Sequence, residues 1–146
     1  MENKIIKLLK CLVCCVFILN TTPMKAQQQG TVMAASSDML LRISEIEIFP
    51  EHLESYNAIL KEEAAASVKI EPGVIAIFPM YVKESPNQIR IIEIYASKKA
   101  YLSHLETAHF KYYKTETLKM VKSLKLVDMT AMDTETMKLM FRKMQP

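Results

Sequence analysis

Cysteine is confined to one end of this chain. Of its 146 residues three are cysteines, Cys11, Cys14 and Cys15. All three lie in a short apolar run from Cys11 to Leu19. A basic stretch with Lys4, Lys7 and Lys10 precedes it, and Asn20-Thr21-Thr22, Pro23 and the small residue Ala26 follow. That order is the layout of a secretory signal peptide, so residues 1–26 are set apart from the fold. The run is far shorter than the ~20 apolar residues of a spanning helix, so no membrane anchor is expected. A lipid anchor is not expected either, because Val13 precedes Cys14 where a lipobox has a small residue. Cleavage after Ala26 removes every thiol. Disulfides, cysteine nucleophiles and thiolate metal sites are then excluded from the mature chain. Its expected location is periplasmic or secreted.

A surplus of charge is also missing. The whole chain carries 19 basic and 16 acidic residues. From Gln27 onward the two signs balance at fifteen each, so the basic excess belongs to the leader. No clustered Lys and Arg remain to build a nucleic-acid surface.

What is present is a regular alternation of strand and helix patterns. Residues 27–38 are small and polar and read as a flexible lead-in. Leu41 to Phe49 alternates as a strand. Pro50 suits a first helical turn, and Leu53, Tyr56, Leu60, Ala64 and Ser67 recur at helical spacing. Glu71-Pro72-Gly73 ends that helix, with Gly73 expected at positive φ. Val74 to Val82 is nearly all apolar and reads as a strand buried on both faces, with Pro79 marking an edge or bulge. A turn over Glu84 to Asn87 leads into the strand Ile89 to Tyr95. Ser97 can cap a second helical region that runs through His104, Phe110, Tyr113 and Thr117 to Val121. Leu124 to Met132 forms a fourth strand. Thr134 can cap a short helix with Met137, Met140, Phe141 and Met144 on one face.

The order is β-α-β-β-α-β plus a C-terminal helix, an α+β ferredoxin-like domain over residues 39–132 with a helical tail over 133–146. Two helices cover one face of such a sheet. The second strand offers apolar side chains to the other face too, which calls for a partner. Two sheets packed face to face make a dimeric α+β barrel, so a homodimer is expected.

Several segments resemble a known family. Glu71-Pro72-Gly73 precedes the apolar strand, Glu93-Ile94-Tyr95 closes the third strand, and Tyr101-Leu102-Ser103-His104-Leu105-Glu106-Thr107-Ala108-His109-Phe110 follows. Together they look like the antibiotic biosynthesis monooxygenase (ABM) domain over residues 39–132. The resemblance implies a dimeric α+β barrel with a cleft between helices and sheet. It also implies relatives that oxidise phenols or quinols without metal or flavin, haem-degrading relatives, and one acting on a phosphorylated sugar. Tyr95 stands where an indole is common, and the chain has no tryptophan, which argues against haem degradation.

His104 and His109 are the leading catalytic candidates. The mature chain has three histidines, the third being His52 near the first helix, and no other group exchanges protons readily near neutral pH. On one unbroken helix, five residues apart, His104 and His109 would point about 140° apart, so no metal site is expected. A neutral imidazole facing an apolar cleft can instead accept a phenol proton. Glu93 shares a strand face with Ile89, Ile91 and Tyr95 and could orient a histidine or hold a substrate hydroxyl. Tyr56, Phe78, Tyr95, Tyr101 and Tyr113 are the candidate aromatic lining, or simply core. The expected function is a cofactor-independent monooxygenase acting on a small aromatic or quinol. A non-catalytic binding module for a hydrophobic ligand such as haem, and a small-molecule isomerase, are the alternatives.

Overall fold

The computed structural model describes residues 38–145. The expected signal peptide, its cysteines and nearly all of the expected lead-in lie outside the described residues. Four strands form one antiparallel sheet in the order β2-β3-β1-β4, with β1 Leu40–Ile48, β2 Val74–Val82, β3 Ser85–Tyr95 and β4 Val121–Met129. The helices are α1 Leu53–Ile70, α2 Lys98–Leu105, α3 Ala108–Thr117 and α4 Thr134–Lys143. This is the ferredoxin-like β-α-β-β-α-β arrangement, in which each helical connection carries the chain past one intervening strand: β3 lies between β1 and β2, and β1 lies between β3 and β4.

The period of two in β1 sorts its side chains. Arg42, Ser44, Ile46 and Ile48 are buried on the inner face, and the residues between them are only half buried. Ile89, Ile91 and Tyr95 from β3, with Val74 and Ile77 from β2, complete that face. Tyr56, Leu60 and Ala64 of α1 pack onto it. Each aliphatic side chain buried in this layer contributes about 1.5–3 kcal/mol.

Several local features differ from the sequence pattern. The strand over Val74–Val82 is not buried on both faces: it is an edge strand, and Phe78 and Tyr81 are 59% and 61% exposed. β3 begins at Ser85, so the turn before it is shorter than Glu84 to Asn87. The second helical region does not run on to Val121. It breaks into α2 and α3, and a 3-10 turn over Leu118–Met120 leads into β4, which starts three residues before Leu124. Asp133 rather than Thr134 caps α4, accepting from the amides of Glu135 and Thr136. Its carboxylate reaches two of the free first-turn donors at once.

Gly73 is required, but not for a positive φ. A Cβ there would sit 2.5 Å from Cβ of Ala100, the third residue of α2. The glycine lets the α1–β2 turn approach α2 closely, and the Gly73 carbonyl accepts from the Ala96 amide at 2.8 Å. Gly73→Ala is expected to lower stability by about 1–3 kcal/mol, the usual cost of overpacking. Urea midpoints check this. The double variant Gly73→Ala/Ala100→Gly should recover most of the loss; a single variant as stable as wild type would show that the turn simply moves away.

Candidate active site

The helix break decides the geometry of the candidate site. α2 is capped by Ser97, whose hydroxyl accepts from the Ala100 amide. After Glu106 the chain restarts at Thr107, whose hydroxyl accepts from the Phe110 amide and donates to the His104 carbonyl at 2.8 Å. A threonine in this position supplies what the first turn of a new helix lacks. The bend turns His104 and His109 toward each other, and their ring centroids lie 6.3 Å apart. On a continuous helix they would diverge.

Both rings meet one carboxylate oxygen. His104 Nδ1 lies 2.9 Å and His109 Nε2 lies 2.6 Å from Glu71 Oε1. Burial alone would raise the Glu71 pKa, but the hydrogen bonds from the two histidines outweigh it and hold the carboxyl below its ordinary range. Ionised Glu71 can only accept, so both facing nitrogens carry protons. A neutral His104 with its proton on Nδ1 carries its lone pair on Nε2. Nε2 lies 3.6 Å from Glu63 Oε1. Glu63 is 5% exposed and accepts from the Ser67 hydroxyl at 2.7 Å. Burial pushes its pKa up, against the opposing pull of Ser67 and His104.

His104 and Glu63 open onto a cavity of about 630 Å³ between the helices and the inner sheet face. Glu93 stands on its floor. The Ser44 hydroxyl donates to one oxygen of Glu93, and the Tyr95 hydroxyl donates to the other at 2.8 Å. Both carboxylate oxygens are therefore held, which fixes the group without a cation. Tyr101 and Tyr113 also line the cavity. Tyr101 packs edge-on to Tyr95 and carries the Arg42 guanidinium over its ring at 4.5 Å. Arg42 is anchored by Asp128 at 2.7 Å. Burial pushes the phenol pKa of Tyr95 well up, and that of Tyr113 up to about 12, so both stay protonated near neutral pH.

The structure thus gathers His104, Glu93, Tyr95, Tyr101 and Tyr113 around one cavity. His109 sits behind Glu71, outside the lining. Tyr56 is fully buried beneath it, with its hydroxyl 2.7 Å from that of Tyr113. Phe78 is not part of the cavity: it pairs with Ile92 on the opposite face of the sheet. Two residues were missed from the sequence, and each carried a signal. Glu63 falls on the apolar stripe of α1, between Leu60 and Ser67. Glu71 lies at the C-terminal end of α1, where the helix dipole disfavours an acid, so something must compensate it.

His104, His109 and Glu63 could also hold a metal ion, with one donor atom from each within 4.8 Å of the others. The expectation of no metal site rested on an unbroken helix and on the lack of thiols, and the break removes the first of these grounds. No helix among the described residues is long and apolar enough to cross a membrane.

The sequence over residues 39–116 matches the model of the antibiotic biosynthesis monooxygenase family. The chain belongs to that family. A crystal structure from Bacteroides thetaiotaomicron, described as a candidate antibiotic biosynthesis monooxygenase, is 49% identical with a TM-score of 0.65, covering 66% of this chain and 91% of the other. A candidate monooxygenase from Lactobacillus acidophilus is 30% identical with a TM-score of 0.63 over 66% of this chain, and here the match spans only 46% of the relative. A Nitrosomonas europaea protein at 18% identity and a TM-score of 0.63, covering 68% of this chain and 95% of that one, shares the fold. No curated protein matches the chain.

Proposed function

We propose that this ABM protein is a monooxygenase that oxidises a small phenolic or quinol substrate, with His104 as general base. The observation that carries this is the 2.9 Å contact of His104 Nδ1 with Glu71 in a residue that lines the cavity: with Nδ1 donating to Glu71, a neutral His104 has Nε2 as its basic atom. A substrate hydroxyl gives its proton to Nε2. The phenolate is electron-rich enough to reduce O2 directly. One oxygen atom joins the ring carbon para to the hydroxyl, and the other leaves as water, taking up the phenol proton held on His104 and the displaced ring hydrogen. One phenol and one O2 give one quinone and one water.

The remaining residues have supporting roles in this reading. His109 holds Glu71 in place, and Glu71 holds the His104 tautomer. Glu93, fixed by Ser44 and Tyr95, receives a second substrate hydroxyl. Tyr101 and Tyr113 flank the ring. Oxygen uptake with a panel of mono- and dihydroxy aromatics tests the assignment. Uptake by wild type at one O2 per quinone supports it; no uptake with any member of the panel would turn the reading toward a binding module for an apolar ligand.

We further propose that the chain is exported and that its mature form pairs as a dimer. The leader layout over residues 1–26 supports export. N-terminal sequencing of protein from its native host should begin near Gln27 with no lipid attached; retention of Met1 would refute export. The outer sheet face supports pairing. Phe78, Ile92, Ile43 and Val127 stand side by side across all four strands on the face the helices leave bare.

A further inference from the structure

We propose that the cluster at the inner end of the cavity is a binding site for one divalent transition-metal ion, with Glu63, His104 and His109 as ligands. Three features point there. The first is composition: two imidazoles and a carboxylate form the mixed N/O set that suits first-row ions such as Zn²⁺, Fe²⁺ or Co²⁺. The second is spacing. Ligand atoms on a tetrahedral ion with bonds of ~2.0–2.1 Å lie roughly 3.4 Å apart. Glu63 Oε1 and His104 Nε2 are already 3.6 Å apart, and Glu63, His104 and His109 each offer one donor atom within 4.8 Å of the others. Closing the set requires His109 to release Glu71 from Nε2 or to present Nδ1, and its side chain, on the first turn after the helix break, is 18% exposed. The third is orientation. A histidine bound to a metal commonly donates its other N–H to a carboxylate, and Glu71 already receives the Nδ1 proton of His104.

The ion would sit at the cavity end of His104, with its open coordination positions toward the 630 Å³ space. Donors on three segments would converge on it: α1 supplies Glu63, α2 supplies His104 and α3 supplies His109. An ion on Nε2 and a phenol proton exclude each other. The metal-bound form is therefore distinct from the form proposed above to act as base, and the test below uses no phenol.

The experiment is a Co²⁺ titration of the full chain without a histidine tag, with Cys11→Ser, Cys14→Ser and Cys15→Ser replaced together to remove leader thiols. Imidazole and carboxylate ligation gives weak visible d–d bands without near-ultraviolet thiolate charge transfer. One equivalent is expected to saturate those bands, and Zn²⁺ should displace it. His109→Gln and Glu63→Gln should each weaken Co²⁺ binding at least about 10-fold, while His52→Gln leaves it unchanged. Circular dichroism and melting of each variant separate lost ligation from lost folding. Absence of d–d bands in the folded wild-type background, or equal affinity in folded His109→Gln, would overturn the site. Neither result bears on oxygen uptake, so the metal inference and the oxidative reading fail separately.

Discussion

His104→Gln is expected to lower turnover of a phenolic substrate by ~10²-fold or more, the usual worth of a positioned general base. Glutamine is the informative replacement. His104 is 2% exposed and lies between two carboxyl groups, so alanine would take one partner from each, leaving Glu63 with Ser67 alone and Glu71 with His109 alone. The alanine variant should therefore melt lower as well as turn over slowly. Glutamine retains a donor for Glu71 but has no basic atom for the cavity. Glu71→Gln tests the tautomer argument independently. An amide there can donate to Nδ1 and shift the His104 proton onto Nε2, so at least about 10-fold of the rate should go while Nε2 stays in place. Steady-state oxygen uptake paired with thermal melting checks both. If His104→Gln turns over normally with an intact fold, the base is elsewhere and catalysis must rest on the tyrosines or on substrate positioning.

Ile92→Asp is expected to convert a dimer into a folded monomer. Ile92 lies in the middle of the apolar row on the outer face, beside Phe78 and Ile43. Across a two-fold axis one substitution places two carboxylates in the interface. An uncompensated buried charge costs about 3–5 kcal/mol, which raises the dissociation constant by at least about 10³-fold. Light scattering and sedimentation at micromolar concentration should give twice the mature mass for wild type and one mass for the variant. The inner core, which Ile92 does not enter, should keep its circular dichroism. A variant that remains dimeric would place the contact on another surface, with the methionine-bearing side of α4 the next candidate; a monomeric wild type would refute the barrel.

Much of this molecule is written in local pattern. The order of strands and helices, the inner face of β1 and the amphipathic stripe of α1 follow from periods of 2 and 3.6 that any stretch of the chain reveals by itself. Proline, serine and the Glu-Pro-Gly turn punctuate those patterns for reasons of backbone geometry. Residue type, strand alternation and the family resemblance together singled out His104, His109 and Glu93, because few other groups could exchange a proton or hold a hydroxyl in an apolar setting. What distance in the chain hides, only the tertiary structure decided. The break at Thr107 replaces a divergence of about 140° with convergence on one oxygen, because one hydroxyl ends one helix and begins another. Glu71 lies 33 residues from His104 and enters the site through the packing of the α1–β2 turn against α2, an approach that Gly73 permits by lacking a Cβ. Phe78 and Tyr95 looked equivalent as aromatic candidates. Strand pairing placed them on opposite faces of the sheet, since a bulge between Val74 and Ala76 resets which β2 residues face inward, and no local pattern registers a shift that exists only against a neighbouring strand.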